Sequence, residues 1–171
     1  MSTVQLAGWS FGTNESALST MRKMAQRVRE TLRTSRYAID VSNNVVSHTV
    51  PRDRVSQIRA ISDYVSRRFR FVPDPIGVEL LRDPTEMIFA MQQRGYTQGD
   101  CDDAAMVIAT LGMANGIPAR FRALAFYSPD APYTHVIADL CAVSGRWFPL
   151  DVTKPQRFDA PEPTRTLTIG V

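Results

Sequence analysis

The chain has 171 residues, 44% of them apolar and 22% charged, with a formal net charge of +3. That length fits one domain whose core needs no disulfide framework, and two cysteines are too few to build one. No apolar run of about 18 residues is present to span a bilayer, and the first residues lack the basic, apolar, small-residue succession of a secretory leader; the expectation is a cytoplasmic protein with no membrane partner.

Residues 1–13, which include Gly8, Trp9 and Gly12, read as an irregular lead-in. Leu18, Met21, Met24, Ala25, Val28 and Leu32 then recur every three or four residues, the apolar stripe of a helix capped by Asn14 or Ser16. Arg22, Lys23, Arg27, Arg29, Arg33 and Arg36 crowd the same segment as a solvated surface. They have no interleaved aromatics for base stacking, so nucleic acid is not the expected partner. Residues 37–50 are mixed, with Asn43-Asn44 as a turn signal and Pro51 as a break.

A second helix over about Asp53 to Arg68 places Val55, Ile58, Ile61, Val65 and Phe69 on one side. Pro73, Pro75 and Gly77 make the following stretch a loop. Asp83-Pro84-Thr85-Glu86 reads as a helix start, with Met87, Ile88 and Met91 facing inward. Tyr96 to Gly99 is a short connection. Residues from Cys101 to Asn115 are apolar nearly all round, which predicts a buried central helix stopped by Gly116 and Pro118. Strands are predicted at Ala119–Phe126, His135–Val143 and Arg146–Val152, the last two as a hairpin. From Lys154 the composition turns to proline and charge, so the end should wrap or dangle. The expected organisation is a single domain: a helical extension over 1–52, a core over 53–155 and a tail over 156–171.

Three stretches carry chemistry. Cys101 falls in the first turn of the central helix behind Asp100 as N-cap, where first-turn amides and the macrodipole favour an anion. Such settings lower a thiol pKa from about 8.5 to roughly 3.5–7.5. Its own amide is placed to donate to an oxyanion. Asp102 and Asp103 oppose the thiolate, but a contacting imidazolium outweighs carboxylates that face solvent. Asp103 is expected to turn back onto backbone amides.

His135, one of two histidines, begins an alternating strand and suits a general base, whereas His48 lies in polar surroundings and reads as surface. Asp151 follows Trp147-Phe148-Pro149-Leu150 and needs a partner if buried; His135 is the candidate. A hairpin centred on Val143, with residues 141–145 as its loop, sets His135 directly opposite Asp151. A two-residue turn at Ser144-Gly145 would set it opposite Lys154 instead. Cys141 lies about 20 Å from His135 along an extended strand and reads as a packed thiol. No metal is expected, because Asp100, Cys101, Asp102, Asp103 and His135 lack the Cys-x-x-Cys or His-x-x-x-His spacing of zinc sites. No glycine-rich phosphate loop is present, and no cofactor is expected.

The order of these parts, with Gly99-Asp100-Cys101-Asp102-Asp103, Gly116-Ile117-Pro118-Ala119-Arg120, His135-Val136 and Trp147-Phe148-Pro149-Leu150-Asp151, resembles the transglutaminase-like superfamily over about residues 55 to 155. Phe71-Val72-Pro73-Asp74-Pro75 and Leu80-Leu81-Arg82-Asp83-Pro84 are similar to its bacterial and bacteriophage members. The resemblance implies a papain-like α+β core, its cysteine-bearing helix packed on an antiparallel sheet. It implies Cys101 as nucleophile, His135 as base and then acid, and Asp151 as orienter; side-chain oxyanion donors vary in the family and none is carried over, so Gln98 and Tyr96 are candidates from their place in this sequence alone. The expected function is a cysteine-dependent amide or peptide hydrolase, or an acyltransferase, working through an acyl-thioester on a peptide or protein substrate. The alternative is a catalytically vestigial phage virion or assembly protein that binds phage structural proteins, found in the host cytoplasm or the virion.

Overall fold

The computed structural model describes residues 4–7, 13–75, 78–153 and 162–171. The expectations for Gly8, Trp9, Gly12, Gly77 and the start of the tail at Lys154 lie outside these residues.

Side-chain caps decide where the chain becomes helical. Helix α1 (Asn14–Thr34) is capped by Thr13 rather than by Asn14 or Ser16. The Thr13 hydroxyl accepts the Ser16 amide at 3.1 Å and Ser16 Oγ accepts the Thr13 amide at 2.9 Å, a reciprocal box. Met21, Met24, Ala25 and Val28 of its predicted stripe are buried. Ser35 ends α1 and caps α2 (Arg36–Val46), where a mixed stretch with a turn at Asn43-Asn44 was expected. Ala38, Val41, Ser42, Val45 and Val46 are the buried side of α2, and the Asn43-Asn44 pair lies on its exposed side. Asp53 caps α3 (Arg54–Arg68), and Asp83 caps α4 (Pro84–Gln93) with Pro84 in the first turn.

Helix α5 (Cys101–Ala114) is the centre of the molecule, packed against α1 to α4 and against a sheet that α1 also touches. It ends on Asn115 and left-handed Gly116 (φ 69°). The Gly116 amide donates to the Met113 carbonyl at 3.0 Å and the Ile117 amide to Gly112 at 3.1 Å, so two orphan carbonyls are satisfied.

The four-stranded antiparallel sheet runs β7 (Trp147–Leu150), β6 (Tyr133–Cys141), β5 (Ala119–Ala125), β8 (Arg165–Gly170). Strand β8, in the segment expected to wrap or dangle, pairs with β5 along its whole length. Phe121, Ala123, Val136, Ala138 and Leu140 are buried on the inner, helix-facing side of the sheet. A Cβ at Gly112 would sit 2.6 Å from Leu140 Cδ2, so α5 meets β6 backbone-close at that glycine. Two small pairs complete the fold. β1 (Val4–Ala7), inside the predicted irregular lead-in, runs antiparallel to β3 (Val78–Leu81). β2 (Phe69–Phe71) runs parallel to β4 (Thr97–Gly99), which was expected to be a plain connection. The architecture is α+β. Among the described residues no helix is long and apolar enough to cross a membrane.

Candidate active site

The turn into α5 is held from several directions. Phe71 pairs with Gly99, and the Val72 amide donates to the Gly99 carbonyl at 2.8 Å. Asp100 caps the helix by accepting the Asp102 amide at 3.3 Å. Cys101 is then the first residue of α5, half-buried against the core. Such a position places a sulfur anion at the positive end of the helix dipole.

Asp102 and Asp103 are fully buried, which corrects the expectation that both face solvent. Nor does Asp103 return to backbone amides of its own helix. Its Oδ1 accepts the Arg82 amide at 2.9 Å, and its Oδ2 pairs with the Arg82 guanidinium. Arg82 also reaches Asp74 Oδ1 at 3.5 Å, and the other Asp74 oxygen accepts the Leu80 amide. Burial pushes the Asp103 carboxyl up to about 7, against the pull of the Arg82 amide and charge. Oxygens of Asp100, Asp102 and Asp103 come within 4.8 Å of one another, hard donors of the type that suit a divalent cation; Asp103 is already engaged by Arg82.

His135 stands directly after an irregularity. Leu124 pairs with His135 but Ala125 pairs with Tyr133, so Thr134 is an extra residue in β6 and is exposed. Such a bulge re-aims the side chain that follows it. The hairpin register differs from both alternatives considered for it. Cys141 faces Trp147, Ala138 faces Leu150, and the Ala142 amide donates to the Arg146 carbonyl at 2.9 Å. The loop is therefore Val143-Ser144-Gly145, three residues, with Gly145 left-handed at φ 81°. Asp151 lies one step beyond the β7 ladder, diagonal to His135 on the same side of the sheet. The two still meet, His135 Nε2 to Asp151 Oδ2 at 2.5 Å. A diagonal neighbour is within side-chain reach, which is why the register error leaves the contact intact.

The histidine side chain is 5% exposed and the aspartate 28%. Asp151 Oδ1 accepts from the Thr153 amide at 3.0 Å and from its hydroxyl at 2.7 Å, a local turn pattern two residues on. Burial alone would raise the Asp151 pKa. The His135 hydrogen bond and charge, with the two Thr153 donors, outweigh it and hold the carboxyl below its ordinary value. A depressed carboxylate stabilises the fold above its unfolded pKa, and that contribution disappears as pH falls through the folded value. Asp151→Asn is therefore expected to unfold at lower temperature than the wild type at neutral pH, with the gap closing below about pH 4. Thermal unfolding across that range measures it, and a pH-independent gap contradicts the linkage.

Gln98 is exposed on β4, three residues before Cys101, whereas the Tyr96 ring is covered by the Arg70 guanidinium at 3.7 Å. Cys141 sits at the far end of β6, its Sγ donating to the Ala142 carbonyl at 3.4 Å, and His48 is exposed. Arg82, Thr153 and the Thr134 bulge are parts of this region that reading the sequence missed. Only Thr153, following Asp151 at turn spacing, left a local signal.

The model of the transglutaminase-like superfamily matches residues 40–152. No curated protein sequence matches the chain. Among solved structures, a proposed protease from Parabacteroides distasonis superposes with a TM-score of 0.59 at 14% identity, over 86% of this chain and 26% of that one. A proposed cysteine protease from Cytophaga hutchinsonii gives 0.52 at 19% identity, over 81% and 46%. Calcium-bound LapG of Legionella pneumophila gives 0.51 at 18% identity, over 86% and 83%. The chain thus spans about a quarter and about half of the first two, and at these identities the likeness is one of fold.

Proposed function

We propose that this chain, which belongs to the transglutaminase-like superfamily, is a cysteine-dependent hydrolase of amide or peptide bonds with Cys101 as nucleophile, His135 as base and then acid, and Asp151 as orienter. The observation that carries the reading is the His135 Nε2 to Asp151 Oδ2 contact of 2.5 Å, the imidazole–carboxylate half of such a set, with the thiol supplied from the first turn of α5. With Nε2 held by the carboxylate, Nδ1 is the nitrogen left to take the thiol proton.

The steps follow from those roles. His135 Nδ1 takes the Cys101 proton, and the thiolate attacks the substrate carbonyl carbon. The Cys101 amide, in the first turn of α5, and the exposed Gln98 carboxamide are the donors for the developing oxyanion. Collapse breaks the C–N bond, and the leaving amine takes the proton from His135. Water then gives a proton to His135 as its oxygen attacks the thioester, which releases the acid and restores the thiol. A peptide is the fitting substrate class, since exposed Phe71 and Val72 flank Gly99 and offer apolar surface to side chains beside the scissile bond.

Iodoacetamide labelling tests the nucleophile. Cys101 is expected to react fastest and with an acid-shifted pH profile, Cys141 slowly. Acyl-enzyme trapped on Cys101, partitioned with and without an added primary amine, then tests the acceptor. Equal, slow labelling of both thiols refutes the enzyme and favours a binding role for the fold, such as in a phage particle. Amine-dependent product with negligible hydrolysis makes the chain a transferase.

A further inference from the structure

Two segments far apart in sequence close on the turn that carries Cys101. From one side β2 fixes Gly99 through the Phe71 pairing and the Val72 hydrogen bond. From the other, Arg82 at the end of β3 takes both oxygens of Asp103, two residues beyond the cysteine, one through its backbone amide and one through its guanidinium. The same guanidinium reaches Asp74, whose other oxygen holds the Leu80 amide, so Arg82 is itself held in place. The fit is close: a Cβ at Gly99 would fall 2.7 Å from Asp103 Cβ, so the residue two before the cysteine and the residue two after it lie against each other.

A helix-start carboxylate ordinarily satisfies first-turn amides of its own helix. Asp103 instead spends its oxygens on a remote arginine while fully buried. Three carboxylates lie within 4.8 Å of one another around this turn, and their charge opposes a thiolate at Cys101. A guanidinium there does two jobs at once: its two nitrogens tie Asp103 to Asp74, while the Arg82 amide holds the other Asp103 oxygen, and its charge lowers the local negative potential.

We propose that Arg82 is the positioning residue for Cys101, gripping Asp103 so that the thiol-bearing turn is locked against the β3 segment and kept less negative. This rests on the reading of Cys101 as nucleophile. Arg82 acts only through Asp103 and takes no part in bond making.

Iodoacetamide labelling followed by mass spectrometry reads Cys101 and Cys141 separately in one molecule, so Cys141 serves as an internal control. In Arg82→Ala the Cys101 rate is expected to fall about tenfold or more, in the range that misplacement of a reacting group costs, with the Cys141 rate unchanged. Added guanidinium ion is expected to recover part of that loss, and Arg82→Lys, which keeps charge but not the fork, to retain an intermediate rate. An unchanged Cys101 rate in Arg82→Ala overturns the proposal. So does recovery by calcium where guanidinium fails, since the turn would then need a divalent cation. Should Arg82→Ala fail to fold by circular dichroism, Arg82→Lys carries the test, and a wild-type rate there overturns it. A wild-type Cys101 no faster than Cys141 is a different failure: it removes the nucleophile reading, and this inference with it.

Discussion

Cys101→Ala is expected to abolish amide hydrolysis while leaving the fold unchanged. Losing the attacking atom of a nucleophile–base–orienter set costs at least about a thousandfold, because the remaining members have nothing to activate. Alanine suits the first turn of α5, where Cys101 is only half-buried, so stability should move by less than about 1 kcal/mol. Cys141→Ala, at the opposite end of β6, should keep full activity. Turnover and intact-mass detection of a thioester on a peptide substrate measure both. Residual hydrolysis near the wild-type rate in Cys101→Ala would falsify the proposed chemistry outright.

The largest effect on stability is expected at a residue that touches neither thiol nor imidazole. Asp139 is fully buried on β6 and accepts Arg120 Nε at 2.7 Å and Arg122 Nη2 at 2.8 Å. Arg120 also lies over the Trp147 ring at 4.3 Å. Removing the acid leaves two cations side by side with no counter-charge between them. Breaking a fully buried pair costs about 3–5 kcal/mol. Here the guanidiniums keep 31% and 23% of their side-chain surface and find water, so Asp139→Ala should cost nearer 2 kcal/mol, about 4–8 °C in melting temperature. Arg120→Ala or Arg122→Ala alone should cost less, because Asp139 keeps one partner. A melting temperature for Asp139→Ala within about one degree of wild type would mean that the cluster contributes nothing to stability.

Much of the fold was legible because its punctuation is local. Asp53, Asp83-Pro84, Asp100 and Gly116 act at the places their residue types suggest, and the all-apolar run after Cys101 is the central helix. Helix α2 was missed because its identity lies in the buried spacing of Ala38, Val41, Val45 and Val46, while Asn43-Asn44 mimics a turn. Strands β2 and β4 are three residues each, too short to show a period, and their parallel pairing is settled only across α4. Strand β8 does alternate, half-buried with exposed, but follows a stretch of prolines that reads as irregular.

The candidate site divides the same way. That His135 and Asp151 should meet was readable from an embedded carboxylate lacking a partner. Their diagonal relation was not, because left-handed Gly145 selects a three-residue loop. The Arg82 to Asp103 pair spans 21 residues of sequence and no local pattern announces it.

The extra residue at Thr134 also isolates one part of the sheet from another. Beyond the bulge, from His135 inward, the ladder with β5 is continuous; before it, the chain leads back through Tyr133 to the connection after Ala125. Length changes in that connection can be absorbed where pairing is already interrupted, instead of propagating down the strand and flipping every side chain to the other face. A residue added or removed between Ala125 and Tyr133 would thus leave the His135 register unchanged, while the Ser128 and Ala131 carbonyls in that connection stay tied to Thr164 and Arg165 at 2.8 Å each.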